Sequence, residues 1–430
     1  MKKVREGYKM TELGEIPEKW EVRQIQDLIK DNIIIDVLDG NHGAIHPKSS
    51  DYVEKGIPFI MANNISNGKL DLEGCKFISK EQSKTLRKGF AIAGDILLTH
   101  KGTVGQTAIV PNTVQEYIVL TPQVTYYRVK NNNSKLYNHY LKIFFDSELF
   151  QGIIKSLSAQ STRDYIGITE QKKLNIILPL FEEQEKFSSI LSSVDEQIEI
   201  TNNLIEKTKE LKKGLMQRLL TEGIGHSRFK DTEIGRIPEE WEVRKLGDIC
   251  EFKQGFQIPR SEQITEFEEG YIRYLYITDF FSDKNKLYVK DNDKFYYISY
   301  EDITIANTGN TCGKAFRGAS GVLSNNMFKI FNEKELLDNE FLWQYLNSLF
   351  YWEQLKKFFN TAGQPHVGHK NMSELRIALP NNLKEQQKIS KILLSVDKKI
   401  EEYESKKEKL QELKKGLMQK LLTGRIRVKV

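Results

Sequence analysis

The stretch that comes closest to an enzyme motif is Gly309-Asn-Thr-Cys-Gly-Lys-Ala315, which has the outline of a phosphate-binding loop. Such a loop holds nucleotide phosphates with backbone N–H groups, and a Ser or Thr directly after its Lys coordinates magnesium. Here one residue too few separates the two glycines, and Ala315 stands where the Ser or Thr belongs. We therefore expect this stretch to be a loop that binds no nucleotide.

Two histidine pairs have spacings that some zinc sites use: His42 with His46, and His366 with His369. Glycines and a proline around the first pair disfavour the helix that would place both rings on one face, and no Glu follows His42. The second pair has no Cys nearby. We expect neither pair to bind a metal. The sequence also lacks an Asn-Pro-Pro-Tyr-like tetrad to hold a flipped adenine and a Gly-rich cofactor loop after a strand.

Composition limits the class of protein further. A length of 430 residues predicts two or three domains, and 39% hydrophobic residues are enough for packed cores. Cys75, Cys250 and Cys312 show no paired spacing, which indicates a reducing compartment and argues against disulfides and a cysteine zinc site. The polar start is unlike a signal peptide, and no apolar run approaches the ~18 residues of a membrane span. We expect a cytoplasmic protein.

The charge balance is weakly basic, with a formal net charge of +5. Residues 23–180 contain 19 Lys and Arg against 15 Asp and Glu, whereas residues 244–380 contain 17 against 18. A protein that binds DNA by itself usually has a larger basic excess. If this chain binds DNA, either its basic residues cluster on one face or a partner supplies much of the phosphate contact.

Two segments of the chain recur. Glu210-Leu-Lys-Lys-Gly-Leu-Met-Gln217 returns unchanged at 412–419, and Thr11-Glu-Leu-Gly-Glu-Ile-Pro-Glu-Lys-Trp-Glu-Val-Arg23 returns with few changes at 232–244. The first pair is 202 residues apart and the second pair 221, so the interiors of the two copies differ in length. Such a large repeating unit indicates a duplicated pair of domains rather than a solenoid. Trp20 and Trp241 in these segments are expected to anchor the two cores.

Each copy ends in a long helical pattern. Apolar residues alternate at spacings of three and four, which is typical of a coiled coil. The first stripe comprises Phe187, Leu191, Val194, Ile198, Thr201, Ile205, Thr208, Leu215 and Leu219; the second comprises Ile389, Leu393, Val396, Ile400, Tyr403, Leu410, Leu417 and Leu421. A helix over 183–221 would be roughly 58 Å long.

So narrow a stripe stabilises a helix only when it is packed, so we expect the two helices to pair with each other. The alternative is two independent surface helices. Four further apolar residues widen the stripes and predict additional neighbours: Leu204, Leu211, Ile392 and Leu413.

The interiors of the two copies have a mixed pattern. Ile33–Ile35, Pro58–Met61 and Asp95–Thr99 predict short strands before a helix over Tyr137–Ile154. In the second copy, Tyr274–Ile277 and Asp302–Ile305 predict strands before a helix over Phe341–Phe359. Both interiors close in Ile-x-Leu-Pro before the long helix. The fold class predicted is α+β, with two globular mixed α/β domains joined by two long helices in an antiparallel coiled coil.

The segment between the copies, 222–231, is predicted to be a loop, and the two ends of the chain resemble it. Leu421-Leu-Thr-Gly-Arg425 resembles how the loop begins, and Gly7-Tyr-Lys-Met-Thr11 resembles how it ends. Joining these two ends would recreate the loop. We therefore predict a cyclic duplication with the two terminal segments close together and a pseudo-two-fold axis.

Taken together, these residues resemble the DNA-specificity subunit of type I restriction-modification enzymes over nearly the whole chain. The resemblance is carried by the two Gly-x-Ile-Pro-Glu-x-Trp-Glu openings and the two Lys-Lys-Gly-Leu-Met-Gln ends. It is also carried by the Leu-Pro junctions before Glu182-Glu-Gln184 and Lys384-Glu-Gln386.

The resemblance implies target recognition domains at 1–182 and 223–381 that each read half of a split sequence in double-stranded DNA. It also implies spacer helices at 183–222 and, with the tail, at 382–430, and a chain that is not itself catalytic and binds no cofactor. The family's two methyltransferase subunits use S-adenosylmethionine to methylate adenine N6. Its restriction subunits are ATP-driven translocases that cut DNA, so ATP and magnesium are expected on partners.

Side chains that read bases are Arg or Lys for guanine and Asn or Gln for adenine, on accessible loops. The candidates in the first domain are Asn41, His42, His46, Lys48, Lys101, Gln106, Gln160 and Arg163. Those in the second domain are Lys253, Gln254, Gln257, Arg260, Asn310, Lys314, Gln364, His366 and Lys370. The alternative for each is an ordinary solvated loop residue. The repeated helix ends would dock partners through Lys212, Met216, Lys414 and Met418.

Two other functions remain open from the sequence. A helical scaffold or adaptor without a nucleic-acid role would fit the near-neutral second domain. A self-contained restriction or modification enzyme is disfavoured, because its motifs are missing. The target bases, the spacer length and the oligomeric state cannot be obtained from the sequence.

Overall fold

The structure is a computed structural model that describes residues 4–130, 135–159, 164–282, 284–359 and 365–429. The chain divides into two compact units. The first unit comprises Met1–Ile200 and Lys406–Val430, and the second comprises Thr201–Ser405. The first unit is therefore built from two separate stretches of the sequence.

The first unit contains most of the strands. They are β1 (Tyr8–Thr11), β2 (Gly14–Pro17), β3 (Glu21–Gln24), β4 (Ile34–Asp39), β5 (Tyr52–Val53), β6 (Ile57–Ile60), β7 (Ile65–Ser66), β8 (Lys69–Leu70), β9 (Lys76–Ile78), β10 (Phe90–Ala91), β11 (Ile96–Thr99), β12 (Thr107–Ile109), β13 (Ile118–Leu120), β14 (Val124–Val129) and β15 (Asn175–Leu178). Its helices are α1 (Ile25–Lys30), α2 (Lys80–Lys84), α3 (Asn138–Asp146), α4 (Glu148–Ser158), α5 (Ile168–Lys172) and the first half of α6 (Phe181–Leu219).

Two sheets form the body of this unit. One is antiparallel, in the order β12-β11-β14-β4, and the other has the order β10-β13-β6-β9-β5 with β13 and β6 parallel. Strand β11 is buried along its whole length because it faces two cores: Ile96 and Leu98 pack in one, and Leu97 packs in the other. Strands buried on both faces read as continuous apolar runs, which is how β11 appears in the sequence.

The second unit repeats this plan with fewer strands. They are β16 (Phe229–Thr232), β17 (Gly235–Pro238), β18 (Glu242–Lys245), β19 (Cys250–Gln254), β20 (Tyr271–Leu275), β21 (Leu287–Lys290), β22 (Thr304–Ala306), β23 (Ala315–Phe316), β24 (Val322–Leu323), β25 (Met327–Asn332) and β26 (Arg376–Leu379). Its helices are the second half of α6, α7 (Leu246–Ile249), α8 (Asn339–Leu346), α9 (Leu349–Leu355), α10 (His369–Ser373) and the first half of α11 (Leu383–Leu422). The sheet β23-β22-β25-β19 corresponds to β12-β11-β14-β4, and β20 with β24 corresponds to β6 with β13.

The helix predicted before each Leu-Pro junction is in fact two helices. Ser147 separates α3 from α4, and its Oγ accepts a hydrogen bond from the backbone N–H of Phe150, 3.2 Å away. Ser348 does the same before α9, with the N–H of Tyr351 3.3 Å away. A Ser that caps a new helix start overrides the apolar periodicity that runs through it. The prediction of single helices over Tyr137–Ile154 and Phe341–Phe359 was wrong in this respect.

The long helices pair antiparallel, as predicted. In the first unit the beginning of α6 lies beside the end of α11, where Lys414 forms an ion pair of 2.6 Å with Asp195. In the second unit the end of α6 lies beside the beginning of α11, and Lys212 pairs with Asp397 at 2.5 Å. The predicted fold class is thus confirmed. The expected widening of the stripe was wrong, because Leu211, Ile392 and Leu413 are exposed.

A buried carboxylate ties each long helix to the repeated Trp. The indole N–H of Trp20 donates to Glu183 at 2.7 Å, and that of Trp241 donates to Glu385 at 3.3 Å. Both indoles are buried, as predicted. An arginine or a histidine completes each group, which we call the tryptophan clamp: Arg427 lies 2.7 Å from Glu183, and His226 lies 2.8 Å from Glu385.

The tail and the central linker also share a turn. Gly424 and Gly223 both have φ of +64°, which favours glycine, and both lie against the Trp of their clamp. The hydroxyl of Tyr8 donates to the carbonyl oxygen of Gly424 at 2.5 Å, so the two terminal segments meet in the first unit. The prediction that these segments lie close together is confirmed.

Candidate nucleic-acid interface

The loop after β4 lies in close contact with the end of β13. A Cβ on Gly40 would lie 1.9 Å from the carbonyl oxygen of Leu120, so only glycine fits there. The next residue, Asn41, is buried, and its amide oxygen accepts from the N–H of Arg87 at 2.9 Å while its amide nitrogen donates to Lys88. Asn41 therefore holds the loop in place. Both ends of its amide are used within the fold, and a base contact by Asn41 stays a prediction from the sequence.

His42 is exposed at the surface of this loop, beside a buried carboxylate. Its Nε2 lies 2.7 Å from Asp39, which also pairs with Lys88. Burial would raise the pKa of Asp39, but the hydrogen bonds from Lys88 and His42 more than offset it, so its pKa lies below the usual value. His46 is half-buried with its Nδ1 3.1 Å from the carbonyl oxygen of Asn41. Of the imidazoles in this loop, His42 is the accessible one.

The first unit also presents two candidate lysines. The side chain of Lys48 is exposed, and its backbone N–H donates to Asp51 at 2.7 Å. Lys101 is also exposed, and it opens a glycine loop between β11 and β12. Its backbone pairs with that of Tyr165 in an isolated bridge. Neither exposed side chain is enclosed by the fold, so contact with DNA stays a prediction for both lysines.

Hydrogen bonds to neighbouring elements hold the glycine loop in place. The N–H of Gly105 donates to the carbonyl oxygen of Thr99 at 2.8 Å, and the carbonyl oxygen of Gly105 accepts from Gln151 at 2.9 Å. Gly105 has φ of +96°, where a side chain would be strained. Gln106 follows and is half-buried, with its backbone N–H bonded to the hydroxyl of Thr99 at 2.9 Å. A rigid loop can present side chains in fixed positions.

Three candidates lie outside the described residues: Gln160, Arg163 and Gln364. They stay predictions from the sequence. Two described residues that come shortly after them, Tyr165 and His366, form backbone bridges beside the glycine loops. Tyr165 pairs with Lys101 in the first unit, and His366 pairs with Thr308 in the second.

Four candidates of the second unit lie in the last two residues of β19 or shortly after the strand ends. Lys253 is half-buried, with its Nζ 3.4 Å from Glu251 and 4.8 Å from the centre of the Phe331 ring. Gln254 donates to the carbonyl oxygens of Asn325 at 2.5 Å and of Met327 at 3.1 Å. Its amide nitrogen is thus used within the fold, which we take as a structural role. The remaining two, Gln257 and Arg260, are exposed.

The other candidates of this unit lie on or near its glycine loop. Asn310 is exposed, and the exposed Lys314 has its Nζ 5.3 Å from the centre of the Phe281 ring. Exposed His366 is brought to the loop by its bridge with Thr308. Lys370 is exposed on α10. A lysine over an exposed ring can contact both a phosphate and a base face.

The same backbone frame surrounds the glycine loop in both units, although the side chains differ. The N–H of His100 donates to Gln123 at 2.9 Å, and its carbonyl oxygen accepts from Ile166 at 3.0 Å. In the second unit Asn307 makes the same two bonds, to Asn326 at 3.0 Å and from Val367 at 2.9 Å. The sequence-based reasoning missed His100 and Asn307. Their place directly after a buried strand and before a glycine loop was the available signal.

The residues predicted to dock partners are packed within their own unit. Lys212 and Lys414 pair with acidic residues of the opposite long helix. Met216 is buried in the core of the second unit, and Met418 is half-buried against the core of the first. These side chains therefore stabilise the fold. The repeated segments expose a leucine instead, since Leu211 is 56% exposed and Leu413 is 51% exposed.

The structure is thus that of a duplicated α+β protein, in which each unit contains parts of two paired long helices. The chain matches the family described as type I restriction modification DNA specificity domain over residues 17–210 and 238–414. It belongs to this family and is a specificity subunit with two target recognition domains.

Known proteins resemble the chain over nearly its whole length. It is 32% identical to the putative type I restriction enzyme MjaX specificity subunit of Methanocaldococcus jannaschii, over 99% of this chain and 97% of that protein. Its fold is similar to that of the type I restriction-modification S subunit from M. genitalium, with a TM-score of 0.55 and 16% identity over 94% of this chain and 96% of the other. A chain from a structure of type I complex assembly has a TM-score of 0.58 and 14% identity, over 96% and 99%.

Two further observations concern only the part of the chain that the structure describes. No helix there has both the length and the apolar character needed to cross a membrane. No group of three or more His, Cys, Asp and Glu is placed there to hold a metal ion. In the first histidine pair considered in the sequence, His42 contacts Asp39 and His46 contacts a backbone carbonyl.

Proposed function

We propose that this chain reads a split sequence in double-stranded DNA, with one half-site for each target recognition domain, at 1–182 and 223–381. The observation that carries the proposal is the shared frame around the two glycine loops. The frame presents Lys101, Gln106 and Tyr165 in one domain, and Lys314 and His366 in the other. One scaffold with two sets of side chains is what reading two different half-sites requires.

The long helices at 183–222 and 382–430 set the distance between the half-sites in this proposal. Helix α6 is 39 residues long and unbroken, which corresponds to roughly 58 Å. One turn of duplex DNA is about 34 Å, so a helix pair of this length spans more than one turn. Because a helix resists compression, the number of base pairs between the half-sites is fixed.

The proposed chain acts through partners and is not catalytic. We place docking of two methyltransferase subunits at the exposed leucines, Leu211 and Leu413. They occupy the same position in the two identical segments, and a repeated exposed apolar residue suits two copies of one partner. The partners, including restriction subunits, would bind S-adenosylmethionine, ATP and magnesium in the cytoplasm, and this chain would bind no cofactor.

The test uses the purified chain together with its methyltransferase partner. Random duplexes are incubated with the complex at moderate salt, and the bound molecules are sequenced. We expect one enriched sequence of two short parts with a constant spacing, and no methyl transfer by this chain alone. A complex that enriches no sequence, or a chain that methylates DNA unaided, contradicts the proposal.

The control for direct reading combines substitutions in one domain only. Lys314→Ala and His366→Ala together change exposed side chains of the second domain. They should relax the selection in one part of the enriched sequence and leave the other part as it was. Equal relaxation of both parts would mean that the two domains do not read separate half-sites.

A further inference from the structure

The two target recognition domains share a feature below their glycine loops: a buried polar atom without a hydrogen-bond partner. Among the described residues these atoms include Nε2 of His100 and Oδ1 of Asn307. The side chains are 1% and 5% exposed. A buried polar atom left unpaired costs about 1–3 kcal/mol, so its recurrence at equivalent positions needs an explanation.

The two atoms are chemically alike. The Nδ1 of His100 lies 3.0 Å from the carbonyl oxygen of Ile166, which can only accept, so the proton is on Nδ1. Burial lowers the pKa of His100 although the Ile166 carbonyl opposes this, and the ring is neutral. Its Nε2 is therefore a fixed acceptor. The amide nitrogen of Asn307 donates to the carbonyl oxygen of Asn325 at 3.3 Å, which leaves its Oδ1 as a fixed acceptor as well.

A second pair of polar atoms recurs beside the first. The hydroxyls of Thr121 and Ser324 are buried, and neither has a partner within the described part of the chain. These residues are equivalent, because the N–H of Thr121 donates to Ile60 on β6 and that of Ser324 donates to Leu275 on β20. An isolated packing defect would not recur at two pairs of equivalent positions in interiors of different sequence.

The acceptors lie beneath the surface that the proposed function assigns to DNA. The exposed ring of Tyr165 has its centre 5.6 Å from that of His100. In the second domain the backbone bridge between Thr308 and His366 places the exposed His366 at the equivalent point. A nucleotide edge would have to move these rings aside to reach the acceptor below.

We propose that His100 and Asn307 are specificity-determining residues, each of which accepts a hydrogen bond from the exocyclic amino group of an adenine or a cytosine. In the major groove these two bases carry an amino donor, whereas guanine and thymine present a carbonyl oxygen at that place. An acceptor that cannot become a donor discriminates between the two kinds. The inference rests on the proposed function and names one contact within it.

The experiment compares bound sequences selected by the complex of the chain with its methyltransferase partner. His100→Phe keeps an aromatic ring and removes the acceptor, and Asn307→Leu removes the acceptor of the second domain. Each variant should lose preference for adenine or cytosine at one position, by about five- to tenfold. Only the half-site of its own domain should change. His100→Asn should keep the preference, because it supplies the acceptor found in the second domain.

The outcomes separate the inference from the function on which it rests. If the unsubstituted complex selects no split sequence, the proposed function fails. If the unsubstituted complex does select one, and the complexes with His100→Phe and with Asn307→Leu select the same bases as the unsubstituted complex, the inference fails. It also fails if His100→Phe and His100→Asn relax the same position equally. Thermal unfolding of each variant identifies any that does not fold, and the variants that do fold then decide.

Discussion

The tryptophan clamp of the first unit gives a sharp prediction about stability. Glu183 is fully buried, and it accepts from Trp20 at 2.7 Å and pairs with Arg427 at 2.7 Å. In a Glu183→Ala variant the buried indole N–H has no acceptor, which costs about 1–3 kcal/mol. Arg427 is partly exposed, so losing its partner adds at most about 1 kcal/mol. We expect the free energy of unfolding to fall by about 1–4 kcal/mol.

Urea unfolding followed by tryptophan fluorescence measures this change. The matched variant is Glu183→Gln, whose amide oxygen can still accept from the indole, so it should lose less stability than Glu183→Ala. Trp20→Phe combined with each variant completes a double-mutant cycle that isolates the indole–carboxylate bond. If both Glu183 variants unfold within about 0.5 kcal/mol of the unsubstituted chain, the clamp does not stabilise the fold as reasoned here.

Three further predictions concern binding, assembly and pH. Lys101→Ala should weaken binding to all duplexes about equally and lower the salt dependence by about one counterion, measured by fluorescence anisotropy at several salt concentrations; a change of sequence preference would contradict a phosphate contact. Leu211→Arg with Leu413→Arg should weaken association with the methyltransferase partner at least about tenfold in a titration, whereas Gln411→Arg on the same exposed helix should not. The lowered pKa of Asp39 predicts stability that is present above its unfolded pKa of about 3.9 and lost as pH falls through the folded value. Asp39→Asn should remove this acid dependence of the melting temperature below about pH 4, and a variant whose melting temperature falls with acid as before would refute the assignment.

Much of the fold could be predicted because the chain contains two copies of one unit, and the two copies can be compared with each other. The repeated openings and helix ends fixed where each copy begins and ends, and the apolar stripe predicted the pairing of the long helices. The break at Ser147 was not predicted, because a single capping residue leaves the apolar periodicity intact. The exposure of Leu211 was not predicted either, because periodicity cannot say which side of a wide stripe meets a neighbour.

The candidate site was harder to predict than the fold. Asn41 and Gln254 were predicted to contact bases because of their residue type and because the surrounding segments looked flexible. In the structure both side chains form hydrogen bonds that hold backbone groups in place. The same reasoning overlooked His100, because a residue that ends a buried apolar strand looks like core. Whether an amide faces its own backbone or solvent depends on contacts between segments far apart in the chain, which local patterns do not contain.

The division of both long helices between the units has a consequence for biosynthesis. The first unit needs residues 406–429 in addition to the first 200, and Arg427 of its clamp is among the last of them. A nascent chain leaving the ribosome therefore begins this unit first and completes it last. Residues 201–405 are all made before the last part of α11, so the second unit can fold while the first unit still lacks residues 406–429. Premature termination near the carboxyl end would therefore destabilise the first unit, and with it the amino-terminal target recognition domain, more than the second.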